Sequence, residues 1–300
     1  MSVKTMKIHE GMVESKSFGS KMADIIICLL VGIVIFCSVI PLYHVVMSSF
    51  SDGKALIGHE GIVITPVGEP TLDGYKKVFQ DNGVLTGYLN TLIYVVGATA
   101  FCMLINITGG YVISRPCKLQ GPLMALVMAT AMFGGGLIPT YMVIRDLGWI
   151  GTRWSLLIPG CTNAFFMVTM TAAFRTVPEA TIEAARIDGA GHFRLLFNIM
   201  LPQAMSMGMI IILNSVIMQW NSWFSASIYI PTKSDLWPLQ LWIKQILADN
   251  GDFLRTKNPD YGKYLVQYAV IVISTVPILI MMPFFAEKME KNVVIGAVKE

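Results

Sequence analysis

Six apolar stretches dominate this chain and decide what it can become. They run over residues 25–47, 90–114, 122–144, 154–174, 204–224 and 264–285, each 21 to 25 residues long. At a rise of about 1.5 Å per residue, each spans a hydrocarbon core of about 30 Å as a helix. None contains Lys, Arg, Asp or Glu, so all 41 charged residues fall in the remaining 165 positions. A bilayer core has no water for free backbone groups, so only helices and closed barrels cross it. Barrel strands are much shorter than these stretches. The expected fold is therefore an all-α polytopic membrane protein with six transmembrane helices. A soluble domain carries about 25% charged residues. This chain carries 14%, too few for the charged shell of a soluble enzyme of 300 residues.

The net charge of +3 argues against a nucleic-acid partner. The cysteines are Cys28, Cys37, Cys102, Cys117 and Cys161, without a CxxC pair. Free, mostly buried thiols are expected, with no metal site and no cofactor. Lys4, Lys7, Lys16 and Lys21 precede the first apolar run. That run is too long for a cleaved signal peptide and has no small-residue cleavage site, so it is read as the first span.

An even number of spans puts both termini on one side. With that side taken as the cytoplasm, the inside segments 1–24, 115–121, 175–203 and 286–300 hold 12 Lys and Arg in 75 residues. The outside segments 48–89, 145–153 and 225–263 hold 10 in 90. Arg115 and Lys118 sit in the first short inside loop, and Lys288 and Lys291 follow the last span. The bias favours N-in, C-in. This divides the chain into a cytoplasmic segment 1–24, a permeation domain 25–285 and a cytoplasmic tail 286–300.

Loops 48–89 and 225–263 are too long for simple connectors. The first holds Gly53, Gly58, Gly61, Pro66, Gly68 and Pro70, then a helical pattern over 72–79. The second holds Pro231, Trp237, Pro238, Trp242 and Pro259. Loops of this kind outside a membrane most simply contact a partner. Span 3 carries Gly134, Gly135, Gly136 and Pro139, span 4 Pro159 and Gly160, and span 6 Pro277 and Pro283. These serve either static close packing or kinked helices around a pathway that opens and closes. His44, Asn106, Asn163, Asn214, Gln219 and Asn221 should face protein or a water-filled cavity. No chain of intramembrane acids suggests an ion-coupled carrier, and neither HExxH nor GxSxG is present.

Residues 175–203 form the longest inside loop. Thr176 and Glu179 have capping-box spacing, with Pro178 in the first turn. A helix over 179–187 should break at Asp188, Gly189 and Gly191, and a second short helix over 192–200 should lead to Pro202 and span 5. Physically this is either an amphipathic hairpin lying on the membrane or a knob that docks into a partner.

Glu183-Ala184-Ala185, Gly189, Ile199 and Leu201-Pro202 match, at every fixed spacing, the EAA loop of permease subunits of bacterial ABC importers. The whole chain from about residue 20 resembles the maltose-type carbohydrate permeases, and within them the oligosaccharide and complex-polysaccharide branch. The stretches 135–141, 185–193, 220–224 and 295–299 carry that resemblance, although the chain ends Lys299-Glu300 where a Lys-Gly ending is commoner.

The resemblance implies a type I ABC importer permease and a five-part machine. A second, different permease completes the pore, an ATPase dimer sits below, and an extracellular solute-binding lipoprotein delivers a carbohydrate. This chain has no GxxxxGK phosphate loop, so no catalytic residue is expected in it. The ATPase-coupling residues by resemblance are Glu183, Ala184, Ala185, Asp188, Gly189, Ala190, Gly191, Phe193, Leu201 and Pro202, with Glu183 expected to meet a basic residue of the ATPase. Loop 225–263 is expected to reach the binding protein, and the tail to insert between the ATPase subunits. Sugars are held by aromatic faces and by amide and hydroxyl groups, so the candidate pathway residues are Tyr141, Asn163, Asn214, Gln219, Trp220, Asn221 and Trp223. A permease for a non-sugar solute is the alternative, and the two tryptophans could equally be an interface belt.

Overall fold

The structure is a computed structural model that describes residues 18–161, 163–250 and 261–297; among these no strand occurs. The N-terminal segment before residue 18, the loop residues 251–260 and the last three residues of the tail lie outside the described residues. The helices are α1 (Phe18–Ser49), α2 (Gly53–Ile57), α3 (Asp73–Gln80), α4 (Asn82–Ser114), α5 (Gln120–Met132), α6 (Leu137–Asp146), α7 (Trp154–Leu157) and α8 (Ala164–Arg175). They continue as α9 (Glu179–Ile187), α10 (His192–Arg194), α11 (Leu201–Trp220), α12 (Phe224–Tyr229), α13 (Leu239–Asn250) and α14 (Tyr261–Ala297).

Among the described residues four helical runs are long and apolar enough to cross a membrane: Lys21–Ser49, Asn82–Ser114, His192–Trp220 and Tyr261–Phe285. The expected third and fourth spans are not continuous rods. The third is α5 and α6, bent by 116°, and the fourth is the pair Trp154–Cys161 and Ala164–Arg175, bent by 47°. With each pair counted as one crossing the number reaches six. The sharper bend follows from three glycines in a row. Phe133 ends α5 in an extended conformation, and Gly136 takes φ +81, a region closed to most side chains. Pro139 then sits in the first turn of α6, where a missing N–H costs nothing.

Helix α4 is the central post, packed against α8, α11 and α13, while α14 packs on α1, α3, α11 and α13. Small residues on α4 set these distances. A Cβ on Gly110 would lie 3.2 Å from the Met170 side chain of α8, and one on Gly87 would lie 2.6 Å from the Trp242 ring of α13. The apolar stretch of α1 is wholly uncovered, and only its C-terminal end meets the rest of the chain. Cys28 and Cys37 on it are therefore exposed, as is Cys117, so only Cys102 and Cys161 are the buried thiols expected.

Residues 225–250 of loop 225–263 are folded onto the helices. Asn90 of α4 donates to the carbonyls of Asp235 at 2.7 Å and Trp237 at 3.2 Å. Arg153 donates to the Asn90 amide oxygen at 2.9 Å. Thr91 accepts the Leu239 N–H at 2.8 Å, and Tyr94 donates to the Leu236 carbonyl at 2.8 Å. Trp237 and Trp242, expected as contact area for a partner, lie against each other and against this chain instead. Loop 48–89 is likewise tied down: His44 Nδ1 accepts the Val63 N–H at 3.0 Å, and Ser51 accepts the Val67 N–H at 2.9 Å.

Candidate functional site

The segment that follows α8 makes a helix, a tight turn and a second helical run. Thr176 does not cap α9. Its hydroxyl donates back to the Ala173 carbonyl at 2.8 Å and closes α8, while Pro178 precedes α9 without any side-chain cap. The expected capping box is therefore absent, because Thr176 still closes α8 and α9 begins two residues later than the box requires, with Pro178 at its N-cap.

Ile182 and Ala185 face inward on α9 and join the core cluster of Phe166, Met170, Phe174, Leu195 and Met200. Their spacing of three puts them on one face. Glu183, Ala184, Arg186 and Asp188 are exposed on the other. The turn is a Schellman motif: Ala190 N–H donates to the Ala185 carbonyl at 2.9 Å and Gly189 N–H to the Arg186 carbonyl at 3.0 Å. Gly189 has φ +77, which the motif requires. Ala185 thus has two tasks, a small core contact and the carbonyl that locks the turn. The small Ala190 packs beside it.

Beyond the turn, Gly191 begins α10 in an extended conformation. The ring of His192 meets the Tyr111 hydroxyl of α4 at 2.7 Å, Nδ1 to Oη. Leu195–Met200 is a π-helical segment, with Leu195, Leu196 and Met200 buried. It runs directly into α11, where Leu201 is half-buried and Pro202 sits in the first turn. The tip of the hairpin is apolar and unsupported: Ile187 is 87% exposed and Phe193 81%. A rigid base with an exposed apolar tip has the form of a knob for a socket in another protein.

The candidate pathway residues divide. Gln219 is 7% exposed and donates to the Leu156 carbonyl at 3.3 Å, one of the acceptors released where α7 ends. Trp220 is 2% exposed; its indole N–H donates to the Ser274 carbonyl at 3.1 Å in the turn that contains Pro277, and Tyr88 meets the ring edge-on. In this conformation neither presents a face to a solute. Asn163 caps α8, accepting the Phe165 N–H at 2.9 Å. Asn214 and Asn221 are exposed and donate back to their own helix, to Ile210 and Ile217. Trp223 carries the Lys244 ammonium 3.7 Å over its ring. Tyr141 stacks with Tyr229 at 6.3 Å.

Sequence reasoning missed Tyr111 and His192 as a joint, the π segment, and the Asn90, Thr91 and Tyr94 clamp. The clamp had a signal, since spacings of one and four put three polar side chains near one face of an apolar helix.

No family model matches the chain. It is 30% identical over 271 residues to the polygalacturonan/rhamnogalacturonan transport system permease protein YtcP of Bacillus subtilis, covering 87% of this chain and 92% of that protein. It is 31% identical over 287 residues to protein LplC of the same organism, covering 93% and 95%. In a crystal structure of a bacterial ABC transporter involved in import of the acidic polysaccharide alginate, one chain superposes with a TM-score of 0.82 at 26% identity, over 92% of this chain and 99% of that one. The chain is a carbohydrate ABC importer permease. Permeases of this family are integral to the cytoplasmic membrane, where the apolar helices place this chain too.

Proposed function

We propose that this permease forms half of the translocation pathway for an acidic oligosaccharide, with its termini in the cytoplasm. A second, different permease forms the other half, an extracellular solute-binding lipoprotein delivers the sugar, and a separate ATPase dimer hydrolyses ATP. The observation that carries the reading is the hairpin tip. Its base is built into the hydrophobic core of the helical body through Ile182 and Ala185, while Ile187 and Phe193 are left bare. An ATPase that receives this tip moves α9 and, through the helical run beyond it, α11. In that docking the exposed Glu183 faces a basic residue of the ATPase, with Ala184, Asp188 and Gly191 around the tip.

The acidic character of the cargo draws support from relatives named for polygalacturonan and alginate. Lys244 above Trp223 adds a cation beside an aromatic face at the end of α11, a pairing suited to a sugar ring bearing a carboxylate. Tyr141, Asn163, Asn214, Asn221 and Trp223 remain the pathway residues with exposed or half-exposed side chains.

The test is uptake into proteoliposomes that hold the complete importer. Labelled oligogalacturonate should enter with ATP inside and binding protein outside, and a neutral maltooligosaccharide should not compete. Preference for the neutral sugar would refute the acidic cargo, and uptake without ATP would refute the importer. Orientation is read from Cys117, exposed in the loop between α4 and α5. An impermeant thiol reagent should label it in inside-out vesicles and spare it in right-side-out ones.

A further inference from the structure

A polar cavity of about 230 Å³ opens at the ends of α4 and α8, beside the first turn of α9. Arg115, Arg175, Gln120 and Glu179 supply its polar wall, and Phe174 and Ile182 supply apolar wall. The Arg115 Nε is buried and has no hydrogen-bond partner. One Nη of Arg115 donates to the Met200 sulfur at 3.0 Å, a weak acceptor. Burial holds this guanidinium below the usual arginine value; the charge of Arg186 acts the same way, and Tyr111 and Glu179 act against it. Arg175 makes one long bond, 3.5 Å to the Ile113 carbonyl. Among the described residues neither guanidinium is ion-paired. Glu179 offsets part of this charge at a distance, but a part-buried guanidinium without a direct ion pair and with an unpartnered Nε is costly, which makes the cavity an incomplete site.

Its height in the membrane narrows the ligand. Arg115 directly follows the apolar run Asn82–Ser114, and Gln120 opens the next apolar helix. The cavity therefore lies where apolar helix gives way to headgroups, the level of lipid phosphates. Charge narrows it further. In the cavity wall two guanidiniums against the Glu179 carboxylate leave one net positive charge, and Arg186 outside the wall adds to the positive potential, so the cavity favours an anion of at least one charge. Arginine forks also match phosphate oxygens two at a time. The volume equals about seven waters at roughly 30 Å³ each, enough for a phosphate group with its ester oxygens.

We propose that this cavity binds a singly charged phosphate group, held by Arg115 and Arg175 with the Gln120 amide as a further donor. Such a group comes from the headgroup of an anionic lipid or from phosphate in solution. Because Glu179 and Ile182 belong to α9, a bound phosphate braces the base of the docking hairpin against α4 and α8. This last step rests on the docking role proposed for that hairpin; the binding itself does not.

The experiment uses the purified full chain without ATPase, so it succeeds or fails independently of docking. Native mass spectrometry compares retention of phosphatidylglycerol with that of phosphatidylcholine, and a thermal melt in detergent tests inorganic phosphate. Wild type should retain phosphatidylglycerol selectively, and R115Q and R175Q should each lose about tenfold, the effect of one charge-assisted contact. E179Q removes the opposing carboxylate and should raise retention; this gain is readable even if an arginine variant fails to fold. A phosphate-dependent rise in melting temperature that R175Q abolishes, without lipid preference, assigns the site to the free anion. Equal retention of both lipids together with no phosphate effect would overturn the proposal, as would R175Q behaving like wild type.

Discussion

Replacing Gly189 isolates one contribution, the strain of a single turn. The residue holds φ +77, and a Cβ built there meets nothing within 4 Å. A substitution therefore creates no clash, and its whole cost is backbone strain. For an L-residue that cost is roughly 1–2 kcal/mol, smaller for asparagine and larger for a β-branched side chain. One to two kcal/mol corresponds to about a 5- to 30-fold change in population. If the ATPase receives only the closed turn, as proposed, the loss of apparent affinity is at most that factor, reached when the strained turn opens in the free chain. Gly189→Ala should weaken ATPase binding in nanodiscs, and coupled uptake with it, within that range. Gly189→Asn should lose less and Gly189→Val more. Gly191 is the internal control: it lies two residues on, has φ −70 and is also in open space. Gly191→Ser adopts that backbone without strain and offers a hydroxyl to cap α10, so the turn should stay as populated as in wild type and binding should fall less than in Gly189→Ala, even with Gly191 beside the docking tip. Membrane insertion, followed by gel filtration, should be unchanged in all four. The reasoning fails if Gly189→Ala and Gly191→Ser are indistinguishable, or if Val is no worse than Asn.

Three further outcomes are expected. Gly87→Ala puts a methyl group 2.6 Å from the Trp242 ring and 3.2 Å from the Leu239 Cα, so it should cost about 1–3 kcal/mol and lower the melting temperature by several degrees. Trp220→Phe loses the bond to the Ser274 carbonyl, about 1 kcal/mol, and should lower the melting temperature without altering the KM for sugar; a raised KM would put Trp220 in the pathway. His192→Ala and Tyr111→Phe should each reduce ATPase stimulation by sugar-loaded binding protein, and the double variant should be no worse than the poorer single one; additive losses would show that the 2.7 Å contact does not transmit the coupling.

Much of this was legible before any coordinate. Apolar runs without a charged residue admit only one solution in a bilayer, so the spans over 25–47 and 264–285 read directly as helix. The hairpin was legible because residues 179–187 are good helix sequence and Gly189 admits the left-handed turn that ends them; its docking role was carried by the resemblance alone. The bends were only half legible. Gly134, Gly135 and Gly136 announce a break, but its angle depends on what the two halves pack against, and hydropathy carries no such information. The same holds for Gln219 and Trp220. Composition marks an amide and an indole as sugar-binding chemistry, and equally as partners for carbonyls freed at a broken or proline-bearing helix. Only placement beside Leu156 and Ser274 separates the two. Trp242 misled for a related reason, since its partners are glycines on α4 more than 150 residues earlier, and a glycine offers no sign of what it makes room for.

From His192 to Trp220 the chain is helical without a loop, 29 residues that begin at the docking knob and end beside Leu156 and Ser274. At about 1.5 Å per residue this is a shaft of about 43 Å. A tilt of about 10° at its inner end moves the outer end by about 7 Å, more than the length of a sugar ring. The π segment at 195–200 holds one surplus residue near the driven end. Were it to relax to α-helical geometry, everything beyond it would turn by about 100°, a rotation added to the tilt.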